Sequence, residues 1–252
     1  MNDPGKHDMI ELKNLSKCYG NTLAVNNLSL SVAKGEIYGF IGPNGAGKTT
    51  TIRIMGGVLA PTGGQVIIDG INMADDPESV KRRIGFIPDR PFIYEKLTGM
   101  EFMRFSADLY GVDDRVFLDK AQGLLKKFAI FSWADELIES YSHGMKQRLI
   151  ISSALLHDPT VIIVDEPMVG LDPAAIRMVK NMFRKLAREG MTIFMSTHTL
   201  AVAEDICDRI GIIHRGSLIA TGTAGDLKKD AGVQEADLEE VFLILTEEQT
   251  VP

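Results

Sequence analysis

Cysteine is almost missing from this 252-residue chain: Cys18 and Cys207 are the only two, far apart and with no His or Cys partner nearby. That excludes a disulfide framework and a cysteine-based zinc site, and it fits a reduced, cytosolic setting. Long apolar runs are missing as well. No stretch approaches 18 consecutive apolar residues, so no membrane-spanning helix is expected and any link to a membrane must come through a partner. The opening residues Met1 to Asp8 are polar and lack the apolar core of a secretory signal. Positive charge is in deficit, with 27 Lys+Arg against 34 Asp+Glu. The resulting net charge of −7 offers no general attraction to nucleic acid or to an anionic membrane surface, so no nucleic-acid partner is expected. Only a local patch such as Lys81-Arg82-Arg83 runs against that balance. There is no internal repeat and no low-complexity linker.

What is present is a globular composition, 45% hydrophobic, enough to bury a sizeable core. Its most informative stretch is Gly42-Pro43-Asn44-Gly45-Ala46-Gly47-Lys48-Thr49-Thr50, placed directly after the apolar run Glu36 to Ile41. Three glycines let backbone N–H groups turn inward onto phosphate oxygens, Lys48 adds a point charge, and Thr49 offers a hydroxyl to Mg²⁺. Lys48 to Val58 reads as a helix whose N-terminus adds its dipole to the same anion.

Residues 9 to 41 carry short alternating runs broken at Tyr19-Gly20-Asn21 and Ala33-Lys34-Gly35, the pattern of hairpin strands, and Gln65 to Asp69 adds another strand. Val161 to Val164, Thr192 to Met195 and Ile210 to Ile213 read as buried strands separated by helical patterns such as Pro173 to Glu189. The expected fold is therefore α/β, with a mostly parallel sheet and crossover helices beside an N-terminal antiparallel subdomain. Between Phe92 and Leu156 apolar residues recur at helical spacing and no strand is evident, which suggests a helical insertion at about 92–157.

Polar residues follow the strands at one end: the phosphate loop after Ile41, Asp165-Glu166 after Val164, Ser196-Thr197-His198 after Met195. Ligands bind at the carboxyl ends of strands in open α/β sheets. Asp165 suits a Mg²⁺ partner, Glu166 is placed to orient or deprotonate a water, and His198 to bond a phosphate or that water. Ser142-His143-Gly144-Met145 precedes a helical run. By itself it reads as a helix cap, though a Ser and a Gly at a helix N-terminus also form an anion site.

With these motifs assembled, the chain from about Ile10 to Leu227 resembles the ATP-binding subunit of an ABC transporter, which implies a P-loop NTPase core and the cofactors ATP and Mg²⁺. The resemblance makes Gly42 to Thr50 the Walker A motif, Val161 to Glu166 the Walker B motif, Gly170-Leu171-Asp172 the D-loop and His198 the switch histidine. Asn44, Gly45, Ala46, Gly47, Lys48, Thr49 and Thr50 would hold the phosphates. Tyr19 would stack on adenine, unless it is an ordinary strand aromatic. Thr49, Asp89 and Asp165 would hold Mg²⁺; Glu166, His198, Lys48 and Asp89 would serve hydrolysis. Two such subunits are expected to face each other, identical or paired with a different ATPase subunit, so that Ser142, Gly144 and Asp172 reach the partner's nucleotide. An integral membrane subunit on a separate chain would dock in a groove near Phe92, Tyr94, Phe102 and Phe105, residues that simple core packing explains equally well. The expected location is cytoplasmic and peripheral on the inner face of the cell membrane.

The resemblance divides the chain into an ATP-binding unit over 1–230 and a short helical tail over 231–252, similar to that of bacterial exporters. Two positions depart from the family pattern. The signature Leu-Ser-Gly-Gly-Gln is here Tyr141-Ser142-His143-Gly144-Met145, and Asp89 stands where glutamine is usual. Two rival readings compete with transport. One is a soluble ABC-type nucleotide switch acting on a non-membrane partner; the other is a nucleoside kinase, which leaves Ser142, Gly144, Asp172 and His198 unexplained.

Overall fold

The computed structural model describes residues 8–89, 92–233 and 237–247; the opening segment, Arg90, Pro91 and part of the expected tail lie outside the described residues. Strands β1 (Asp8–Tyr19), β2 (Thr22–Ala33) and β3 (Ile37–Ile41) break at the two anticipated turns. Helix α1 (Lys48–Met55) follows β3 and stops earlier than Val58, because Gly56 and Gly57 close it and Gly57 takes a φ of +65°. Then come β4 (Gly63–Ile68), β5 (Ile71–Asn72), α2 (Pro77–Arg82) and β6 (Ile84–Ile87). The expected helical stretch holds α3 (Gly99–Tyr110), α4 (Asp114–Lys127) and α5 (His143–Ala154). The chain returns to alternation through β7 (Val161–Asp165), α6 (Pro173–Arg188), β8 (Thr192–Thr197), α7 (Leu200–Ile206) and β9 (Arg209–His214). It closes with β10 (Ser217–Gly222), α8 (Ala224–Asp230) and α9 (Leu238–Glu247).

Two sheets result. One is antiparallel, in the order β2-β1-β4-β5; the other has six strands in the order β10-β9-β3-β8-β7-β6, parallel except for β10 on β9. The expected N-terminal hairpin thus sits in the first sheet, while β3 joins the second. Strands β3, β7 and β8 are buried along their whole length, as the continuous apolar runs require of a sheet covered on both faces. The short β6 and β10 carry no separable sequence signal, and their state is set by the neighbours they pair with.

Helices α3, α4 and α5 pack into one core with β7 and β8 through Met103, Phe128, Leu149, Ile151, Val164 and Met195. Phe102, 6% exposed, belongs to that core and is unavailable as a groove residue. Phe92, Tyr94 and Phe105 stay exposed and stack edge to face, with centroids 4.8 and 5.1 Å apart. At the other end, Leu238 and Val241 of α9 bury against Ile41, Ile212 and Leu227, so this helix is held on the sheet.

His157 has a structural role the sequence did not signal. Its ring lies parallel to Tyr110 at 3.8 Å, its Nε2 donates to the Ile84 carbonyl at 3.1 Å, and its buried Nδ1 has no hydrogen-bond partner among the described residues. Burial pushes its pKa below the usual value, against the opposing pull of the Ile84 carbonyl and Asp158. Above about pH 6.5, the ordinary histidine value, both folded and unfolded chains carry it neutral and it adds no pH dependence. Below that pH the unfolded chain takes up the proton first, so stability is expected to fall as pH drops from about 6.5 through the lowered folded value. Urea midpoints between pH 8 and pH 5 test this: His157→Phe should show a shallower decline, and an identical slope would remove the assignment.

Candidate active site

The site is assembled by strand order. Strands β3, β8 and β7 are neighbours, and their register sets Ile41 beside Thr197 and Asp165 beside Ser196. Three segments distant in sequence therefore deliver their polar residues to one edge. Glycine is obligatory at position 47, where φ is +106° and an added Cβ would lie 2.4 Å from the Ala24 carbonyl oxygen. Gly47 also caps α1 without a side-chain hydrogen bond, so no capping side chain occupies the first N–H groups of that helix. The Lys48 side chain is buried along the loop, its Nζ donating to the carbonyls of Gly42 at 2.6 Å and Pro43 at 3.1 Å. Burial pulls the Lys48 pKa below its ordinary value, and the carboxylates of Glu166 and Asp165 offset part of that shift.

Asp165 is buried and accepts a short hydrogen bond from the Ser196 hydroxyl, which in turn accepts from the Glu166 N–H at 3.1 Å. Ser196 thus spends its one proton on the carboxylate and holds both acidic residues in place. Sequence reading saw Ser196 only as part of a polar strand end, because the pairing exists only in the register of β7 with β8. Glu166 adopts φ +51°, unusual for a residue with a side chain. Its Oε1 lies 2.9 Å from His198 Nδ1, and its Oε2 accepts from the His198 backbone N–H at 3.4 Å.

Asn44, Gly45, Gly47, Lys48, Thr49, Thr50, Asp89, Glu166 and His198 line one cleft of about 370 Å³, together with Ala24 and Val169. An adjoining cleft brings Thr49, Asp89 and Asp165 together, the three residues expected at a cation. Among the described residues no cluster of three His, Cys, Asp or Glu could hold a metal. The Thr49 hydroxyl and the Asp89 and Asp165 carboxylates are oxygen donors, the type that Mg²⁺ takes beside phosphate and water. Ala46 is buried beneath the loop, with its N–H turned to the Pro43 carbonyl and its own carbonyl accepting from Gly216. Tyr19, half-exposed at the end of β1, does not line the cleft.

Ser142, Gly144 and Asp172 are absent from the cleft too. Ser142 caps α5 through Met145 N–H at 3.3 Å, and Asp172 caps α6 through Ala175 N–H at 2.8 Å.

Residues 25–169 match the family described as ABC transporter. The ABC-type transporter ATP-binding protein EcsA of Bacillus subtilis (strain 168) is 36% identical over 240 residues, which cover 95% of this chain and 97% of EcsA. The chain belongs to the ABC transporter family. A solved structure described as the ATP binding subunit of an ABC transporter is 36% identical, with a TM-score of 0.87 over 94% of this chain and 99% of the other. The ATP-binding cassette MJ0796, in a dimeric post-hydrolysis state bound to ADP and Pi, is 27% identical, with a TM-score of 0.75 over 85% of this chain and 98% of the cassette. This ABC ATP-binding chain shares their architecture, an antiparallel subdomain beside a mostly parallel sheet. None of its described helices is long and apolar enough to cross a membrane.

Proposed function

We propose that this protein is an ATPase that dimerises around two Mg-ATP and powers export through a membrane subunit on a separate chain. The observation that carries the reading is the split of its nucleotide-binding features. Lys48, Glu166 and His198 meet in one cleft, whereas Ser142 and Asp172 cap helices outside it and Gly144 sits in the first turn of one of them. A head-to-tail dimer would complete each cleft with the partner's outer features. The dimeric, ADP- and Pi-bound state of the 27%-identical cassette supports this arrangement.

In this mechanism the N–H groups of the loop and of the first turn of α1, with Lys48, take the negative charge of the phosphates. Thr49, Asp165 and Asp89 would hold Mg²⁺, which when bound neutralises charge on the phosphate oxygens. Glu166 orients the attacking water and accepts its proton. The backbone N–H of His198 donates to the Glu166 carboxylate at 3.4 Å and the ring Nδ1 lies 2.9 Å from its other oxygen, which leaves Nε2 for the terminal phosphate or the water. The exposed aromatic group Phe92, Tyr94 and Phe105 offers an apolar surface for the membrane subunit, and the direction of transport rests on the resemblance of the C-terminal tail to that of exporters.

The test is affinity purification of tagged Glu166→Gln protein from its own cells, after mild solubilisation of membranes with Mg-ATP. The expected result is stoichiometric recovery of a polytopic membrane protein. Recovery of only soluble protein or ribosomes, from bait that still binds ATP, would favour the soluble nucleotide switch.

A further inference from the structure

The signature segment of this chain carries a side chain, His143, where the family pattern quoted above has glycine. The side chain is engaged: its Nε2 lies 3.3 Å from the carbonyl oxygen of Val169, a distance at which the Nε2–H tautomer donates. The same ring covers Gly170, where φ is +73° and an added Cβ would come within 2.9 Å of Nε2. Only glycine at 170 lets the imidazole lie over the loop. Beside it, a Cβ added at Gly144 would come within 3.8 Å of Leu171 and 3.9 Å of Ala175. The signature segment and the loop from Glu166 to Asp172 are therefore joined within one chain.

That loop also belongs to the cleft. Val169 lines it together with Glu166 and His198, and the Val169 N–H points to the Glu166 carbonyl at 3.3 Å. Val169 is 48% exposed, so packing holds it little, and the hydrogen bond from His143 adds to the one its own N–H makes. The route from Ser142 to Glu166 runs through adjacent residues and two hydrogen bonds, with His143 as its link.

We infer that His143 is a positioning residue that couples the two nucleotide sites of the dimer. It ties the segment serving the partner's nucleotide to the loop that carries Glu166 in its own site. The inference rests on the dimeric ATPase reading and adds to it a specific connection. Because coupling between binding sites is reciprocal, occupation of either site would favour the arrangement of the other, and ATP would act cooperatively.

The experiment is steady-state phosphate release by the full chain across a range of Mg-ATP concentrations, for wild type, His143→Ala and His143→Gln. Glutamine keeps an N–H donor at similar reach; alanine removes it. The wild type is expected to show a Hill coefficient above one, bounded by the two sites. His143→Ala should bring it to about one and lower kcat roughly two- to tenfold, the worth of one modest hydrogen bond. His143→Gln should restore both, with melting temperatures unchanged across the three proteins. A Hill coefficient of one in the wild type, an unchanged coefficient in His143→Ala, or a His143→Gln protein as impaired as His143→Ala would overturn the inference. So would a loss of turnover in His143→Ala that merely follows a lowered melting temperature. The underlying reading is checked separately: Glu166→Gln protein that stays monomeric in saturating Mg-ATP removes the dimer itself, whereas a normal dimer with unaltered His143 variants removes only the link.

Discussion

Glu166→Gln is expected to lower ATP turnover on the order of 10²- to 10⁴-fold, the range for removal of a positioned acid/base group. The substitution keeps the size of the side chain and one oxygen acceptor, so the contacts with the His198 backbone N–H and Nδ1, 3.4 and 2.9 Å away, can persist. What disappears is the capacity to take a proton from water. Nothing in the phosphate loop changes, because Glu166 reaches that region from the end of β7. Nucleotide affinity should therefore survive while the chemical step fails, and the dimer should accumulate with Mg-ATP. Phosphate release in single turnover, read beside the binding of a fluorescent ATP analogue, separates the two. Turnover at the wild-type rate would remove Glu166 from the chemistry and leave His198 as the alternative.

Lys48→Ala is expected to weaken ATP binding roughly 10- to 150-fold, which corresponds to the ~1.5–3 kcal/mol typical of hydrogen bonds to charged groups. In this structure the ammonium is already folded along the loop, bonded to the Gly42 and Pro43 carbonyls and sharing the cleft with Glu166. It needs no rearrangement of the backbone to meet an anion there. Burial lowers its pKa, and the two nearby carboxylates resist that shift, so removing Lys48 also leaves Asp165 and Glu166 without a compensating charge. The added repulsion acts against a triphosphate. Titration calorimetry with Mg-ATP measures the loss directly, and an unchanged Kd would contradict the role.

These two residues stand differently with respect to the sequence. Lys48 was legible because its partners are within six positions: the loop, the lysine and the helix start are one continuous stretch. Glu166 was legible as a residue but not as a geometry. Its φ of +51°, its pairing with His198 and the support of Ser196 all depend on which strands lie side by side. Phe102 shows the opposite case. It shares helical spacing with Phe105, yet one turns into the core at 6% exposure and the other remains at the surface at 37%. Residues three apart on a helix lie near each other but not on the same line, and only the packing of α3 on α5 decides which of them is covered. His157 had no motif around it, since stacking on Tyr110 spans most of the helical stretch.

Local chemistry, then, was determined by the sequence alone: a phosphate loop, an acidic pair ending an apolar strand, a histidine ending another, and the alternation of strands and helices that makes an α/β fold. Each of these depends on residues close together in the chain, where backbone geometry leaves few choices. Only the tertiary structure decided that β3, β8 and β7 are neighbours, that Ser196 bridges Asp165 and Glu166, that Ala46 lies beneath the loop, and that His143 reaches Val169. Those are contacts between segments tens of residues apart. They are selected by burying all three strands at once and by pairing the polar groups that end up at the strand edge, conditions that no single segment carries in itself.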